Sequence, residues 1–94
     1  MTMPTPEALR ELLLTMLRLA IGRLRAVGDE HWAEWLQRDH DRIAAGDLSG
    51  LAHLRQAFGG MGSINDRYPQ DDPEIGTHVA AVYRLASKLT SPRG

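Results

Sequence analysis

Thr5-Pro6-Glu7-Ala8-Leu9-Arg10-Glu11-Leu12-Leu13-Leu14-Thr15-Met16-Leu17-Arg18-Leu19-Ala20-Ile21-Gly22-Arg23-Leu24-Arg25-Ala26-Val27-Gly28 decides how the rest of the chain is read. It begins with a helix start: the Thr5 hydroxyl can accept from an orphan N–H, Pro6 suits the first helical position, and Glu7 complements the positive end of the dipole. Gly28 is the natural stop, because glycine enters the left-handed cap conformation without a Cβ clash. The spacing therefore predicts a helix running to about Val27. Leu9, Leu12, Leu13, Met16, Leu17, Ala20, Leu24 and Val27 form one stripe, and Leu14, Leu19 and Ile21 widen it to roughly 220°, well beyond the roughly 100° minimum of a surface helix. So wide an arc needs more than one neighbour, and the expectation is a homodimer through the helix near Leu14, Leu17 and Ile21.

Downstream the same punctuation recurs. Asp29 caps a second predicted helix over about 30–45, in which Trp32, Trp35, Leu36, Asp39, His40 and Ile43 share one face, and Gly46 ends it. Asp39 and His40 are the polar members of that otherwise apolar line. A short third helix starts near Asp47 or Ser49, with Leu48, Leu51, Leu54 and Phe58 as its inward row, and stops at Gly59-Gly60. Asp72-Pro73-Glu74 opens a fourth, running to about Leu89, with Ile75, His78, Val79, Val82, Leu85, Ala86 and Leu89 inward. Nothing alternates as a strand does. The expected fold is all-α: a small bundle of about four helices, up-down or orthogonal, with a Gly-rich loop between helices three and four. All 94 residues are expected to make a single helical domain, with flexible ends at about 1–5 and 91–94.

Composition narrows the function classes. Eleven basic against twelve acidic residues leave a net charge of -1, so counterion-driven nucleic-acid binding has no support. With no Cys, disulfides and thiolate metal sites are excluded. The apolar stretch from Leu12 to Ile21 is broken by Thr15 and Arg18 and is too short for a bilayer span, so no membrane association and a cytoplasmic location are expected. Charge is uneven: residues 29–50 hold six acids against Arg38 and Arg42, while the first helix is net positive. This pattern reads either as attraction between two helices or as an acidic face for a basic partner.

The unusual segment is Phe58-Gly59-Gly60-Met61-Gly62-Ser63-Ile64-Asn65-Asp66, followed by Arg67-Tyr68-Pro69, extended or turning. Three Gly in four positions point to positive φ or a very close backbone approach. In one reading Gly59 and Gly60 cap helix three, Met61 and Ile64 pack inward, and Asn65 and Asp66 bond their own backbone in a turn. In another the core holds a recognition loop rigidly, with Gly60, Gly62, Ser63, Asn65, Asp66 and Arg67 as binding residues. A third makes the loop's N–H groups a cradle for a small anion, with Arg67 as counter-charge. A nucleotide loop is disfavoured, since no strand precedes the run and no Lys follows Gly62-Ser63. Trp32 and Trp35, three apart on one face, read as core or as anchors for a partner.

His31-Trp32-Ala33-Glu34-Trp35-Leu36, Gly46-Asp47 and the nonapeptide at 58–66 together resemble a family of small bacterial helical proteins marked by an F-G-G-M-G-S-hydrophobic-N-D signature. The resemblance covers about 28–66. That family is a domain of unknown function, so the resemblance implies a bacterial origin and adds no chemistry.

His31, His40, His53 and His78, with nearby Asp39, Asp41 and Asp66, could in principle supply metal ligands, but no two His fall three or four apart. His40 is expected to pair with Asp41 or Arg42 at the surface. A Ser63–His–Asp66 set lacks an elbow motif to expose the serine. The expectation is no catalytic residue, no metal and no cofactor. What remains is a non-enzymatic protein–protein interaction module, with an immunity- or antitoxin-like role as one form; the alternative is a binder of a small anionic ligand at the Gly-rich loop.

Overall fold

The computed structural model describes residues 5–58, 64, 68 and 72–90. Among these it contains four helices, α1 Pro6–Ala26, α2 Glu30–Ala44, α3 Ser49–Gln56 and α4 Pro73–Thr90, and no strand. The all-α reading and the four predicted helices are thus what the described residues form. The N-cap is as expected: Thr5 Oγ1 accepts from the Ala8 N–H at 3.0 Å. Residues 1–4 and 91–94 of the predicted flexible ends lie outside the described residues.

Two corners set the path of the chain, and both are built from Gly-Asp. At the end of α1, Gly28 takes φ +85°, its N–H donates to Arg25 C=O at 3.1 Å, and the Asp29 N–H donates to Leu24 C=O at 2.8 Å. At the end of α2, Gly46 takes φ +87°, with matching bonds from Gly46 to Ile43 at 3.0 Å and from Asp47 to Arg42 at 2.8 Å. Both are Schellman closures, in which positive φ lets two successive N–H groups turn back onto orphan carbonyls. The aspartate of each corner then serves the next helix. Asp29 Oδ1 accepts from the Trp32 N–H at 3.3 Å, and Asp47 Oδ1 accepts from the Ser49 N–H at 3.0 Å.

α1 lies against both α2 and α4, and α3 joins α2 to α4, which closes a ring of helices around the core. This arrangement corrects the surface expected to join two copies. Leu14, Leu17 and Ile21 are 6%, 0% and 4% exposed, covered by the chain's own helices, so the surface assigned to a second copy is interior. The physical reason is that α1 has neighbours on both sides of its stripe, which hide the flank carrying Leu14 and Ile21. The opposite flank stays outside: Leu12, Leu19 and Val27 are each about half exposed. Leu48, expected in the inward row of α3, is also exposed, because it precedes the first turn of that helix.

Candidate functional site

α2 and α3 meet at a glycine. A Cβ on Gly50 would stand 2.9 Å from Arg42 Cβ, 3.1 Å from Ile43 Cγ1 and 3.2 Å from the Asp39 carbonyl oxygen, so only a residue without a side chain lets α3 come this close to α2. One turn further along α3 is His53, and the close approach brings its Nδ1 to 2.5 Å from Asp39 Oδ1. Asp39 has no solvent exposure, whereas the His53 side chain keeps 28% of its own. Trp35, one turn before Asp39 on α2, lies face to face with the imidazole at a centroid distance of 4.3 Å and an interplanar angle of 16°. An aromatic row continues from it along α2, with Trp35–Trp32 at 5.3 Å and Trp32–His31 at 4.9 Å.

Burial pushes the Asp39 carboxyl above its ordinary value, opposed in turn by the His53 hydrogen bond, the His53 charge and the charges of Arg42 and Arg38. A carboxylate is expensive to bury, and this one has His53 as its hydrogen-bond partner while Oδ2 has none among the described residues. With Asp39 ionised, Nδ1–H of His53 donates to Oδ1, which fixes the tautomer and the ring plane. The Trp35 face blocks one side of the ring. Nε2, the remaining polar atom, has no partner among the described residues. The result is an imidazole held by a buried acid and an indole, with its free nitrogen available to a hydrogen-bonding group from outside. No Ser, Thr or Cys among the described residues bonds that nitrogen, so the described arrangement is an oriented proton acceptor or donor without an attached nucleophile.

The acidic segment proves to be largely occupied with the chain itself. Asp29 also accepts from the Tyr68 hydroxyl at 2.7 Å, Asp39 holds His53, and Asp47 accepts from the N–H and hydroxyl of Ser49 at the start of α3. Asp41 accepts from Gln37 and lies 3.1 Å from His40 Nδ1; the His40 and then the Gln37 hydrogen bonds hold its carboxyl below the ordinary range. His40 therefore pairs with Asp41 as one of the two expectations had it, and its Nε2 meets Arg18 of α1 at 3.3 Å. Glu30 is 3.9 Å from Arg25. Glu34 alone of the six has no partner among the described residues.

Of the expected binding residues, Trp32 is buried at 7% exposure and belongs to the core, and Trp35 is half-buried at the site. Gly60, Gly62, Ser63, Asn65, Asp66 and Arg67 lie outside the described residues, as does Met61. Two residues of that link are described. Ile64 is fully buried, as expected, with its N–H donating to Ala57 C=O at 2.8 Å; Tyr68 is 3% exposed and its N–H donates to Ile64 C=O at 3.1 Å. The Asp39–His53 pair is the feature the sequence reading missed. Its signal was there: an aspartate in a line of core positions demands a buried partner. Among the described residues no three metal-capable side chains come together.

No helix of the described residues is long and apolar enough to cross a membrane. No curated protein and no solved structure matches the chain. One family model does match, over residues 25–74, a span that includes α2, α3, the Asp39–His53 pair and the Gly-rich segment; the chain belongs to the family described as Domain of unknown function (DUF6966).

Proposed function

We propose that this protein is a non-enzymatic protein-interaction module whose docking surface is the edge of α2 and α3 that carries Trp35 and His53. The observation that carries the reading is the imidazole fixed between a fully buried carboxylate and an indole face, with Nε2 left for a partner. Binding hot spots favour such preorganised aromatic groups, because little rotamer entropy is lost when they engage. Glu34, exposed and without an internal partner, stands beside Trp35 on α2 and supplies a charge for a basic partner. An immunity- or antitoxin-like role is one biological form of this reading, by analogy. A bacterial, cytoplasmic setting belongs to the same proposal, resting on the resemblance of the motif and on a chain that contains no cysteine.

The test pairs capture from the native host with three variants. Trp35→Phe removes an indole N–H that has no partner among the described residues, His53→Gln removes the ring while keeping a group that can reach Asp39, and Glu34→Arg reverses the free charge. A specific partner is expected to bind the wild-type chain and to lose about tenfold or more in affinity to His53→Gln and Glu34→Arg, with melting temperatures retained. Unchanged binding by both would remove this edge from the function.

A second reading has its own observation. Leu12 and Leu19 are two turns apart on α1 and each about half exposed, and Leu12 and Met16 line a shallow groove with Ala81, Arg84, Leu85 and Lys88 of α4. This strip is what remains of the wide apolar arc, and it replaces Leu14, Leu17 and Ile21 as the surface through which two copies associate.

A further inference from the structure

Arg10 is the one charged residue that continues the inward row of α1. It precedes Leu13, Leu14 and Leu17 by three, four and seven residues, which is the spacing of one helix face, and all three of those leucines are buried. At Arg10 the bundle has reached its end. The first turns of α1, the end of α2, the start of α3 and the end of α4 leave a cleft of about 330 Å³ there, within the size range of small-molecule sites. Ile43, Leu51 and Leu89 form its apolar wall, with Pro6 and the exposed Leu48 at its mouth.

One nitrogen of the guanidinium beside this cleft is unsatisfied. Arg10 Nε is shut off from solvent and has no hydrogen-bond partner, and no acidic side chain among the described residues forms an ion pair with Arg10. A buried donor without an acceptor costs free energy that a bound acceptor would recover. The Nε–Nη edge of a guanidinium matches the two oxygens of a carboxylate, and the positive end of α1 lies at the same mouth. Glu7, also at the mouth, is exposed and opposes an anion through water. We infer that the cleft is a binding site for a small alkyl monocarboxylate, whose chain lies on Ile43, Leu51 and Leu89 and whose carboxylate takes the Nε–Nη edge of Arg10 as the guanidinium turns it toward the cleft. This inference is independent of the Trp35–His53 surface, which lies on a different part of the molecule's α2–α3 pair.

The experiment uses the intact 94-residue protein with octanoate as probe, followed by calorimetry and by methyl NMR, with 1-octanol and octylammonium in parallel. Octanoate is expected to raise the melting temperature and to shift the methyl resonances of Leu51 and Leu89, with 1-octanol about tenfold weaker or worse. Arg10→Gln is expected to bring octanoate down to the level of 1-octanol while leaving the unliganded melting temperature in place, and Glu7→Gln to tighten octanoate. No response at millimolar octanoate would overturn the inference. So would equal affinity for octylammonium, shifts confined to Leu12 and Leu19, or an Arg10→Gln variant that binds octanoate as well as wild type.

Discussion

At Gly50 a single missing methyl group determines whether α3 can lie on α2. The three contacts an alanine would make include backbone and Cβ atoms, which cannot swing aside as the tip of a long side chain does. Gly50→Ala is therefore expected to lower stability by about 1–3 kcal/mol in urea denaturation, the range for overpacking a tight interface, and to loosen the Asp39–His53 contact that depends on the same approach. Asp39 gives a prediction with a definite sign. Burial holds its folded pKa above the ordinary carboxyl value, so the folded chain binds the proton more tightly than the unfolded one. Stability then falls as pH climbs from that ordinary value through the raised one, and the cost is complete above it. Asp39→Asn keeps an oxygen for His53 Nδ1 without a buried charge. It is expected to lie within about 1 kcal/mol of wild type or above it at neutral pH, with the difference moving in favour of wild type in acid. A loss of more than about 3 kcal/mol would mean that the charged pair is net stabilising.

Among the elements, α4 owes its start to Asp72, whose role is wider than the cap predicted for it. Oδ1 accepts from the Glu74 N–H at 3.0 Å and the Ile75 N–H at 3.2 Å, and Oδ2 accepts from Arg23 Nε of α1 at 3.0 Å. Burial works against this charge, but the Ile75 N–H, Arg23 and the Glu74 N–H together outweigh it and hold the carboxyl below its ordinary range. A carboxyl with a lowered folded pKa contributes in full above the ordinary range and loses that contribution as pH falls through the lowered value. Asp72→Asn, which still caps but no longer attracts Arg23, is expected to melt lower than wild type at neutral pH, with the gap closing in acid; Asp72→Ala is expected to melt lowest of the three. A scan of melting temperature against pH on all three checks both the order and the slope. The cap was legible because Asp-Pro-Glu is a local signal, whereas the tie to α1 joins residues 49 positions apart and has no local signature.

For the molecule as a whole, the question is what the exposed half of α1's arc does. Leu12 and Leu19 leave a strip long enough for helix contact and bordered by Arg84 and Lys88. Light scattering across a dilution series is expected to show a dimer that dissociates toward low concentration, and Leu12→Glu with Leu19→Glu to give a monomer with the same helical circular dichroism. A wild-type particle that stays monomeric throughout the micromolar range would leave the strip as ordinary exposed surface. Tyr68 is pinned in a way that composition does not suggest. Its hydroxyl donates to Asp29, the same side chain that caps α2, and so ties Tyr68 to the α1–α2 corner.

Local chemistry was enough to read the four helices of the described residues and where each begins; the end of α3, expected at Gly59-Gly60, falls earlier, at Gln56. Thr5-Pro6, Asp29, Gly46-Asp47 and Asp72-Pro73 act on groups within a few residues of themselves, so their roles survive without knowledge of neighbours. Which side of each helix faces inward was legible only in outline, since an apolar arc states how much surface must be covered and leaves open what covers it. The ring of helices made that choice, sending Leu14 and Ile21 to the core and leaving Leu12 and Leu19 in water. The same holds for the candidate site. Asp39, Gly50 and His53 carry no spacing motif, and they become a unit because two helices touch at a glycine, where a buried charge then has to find its partner across the gap.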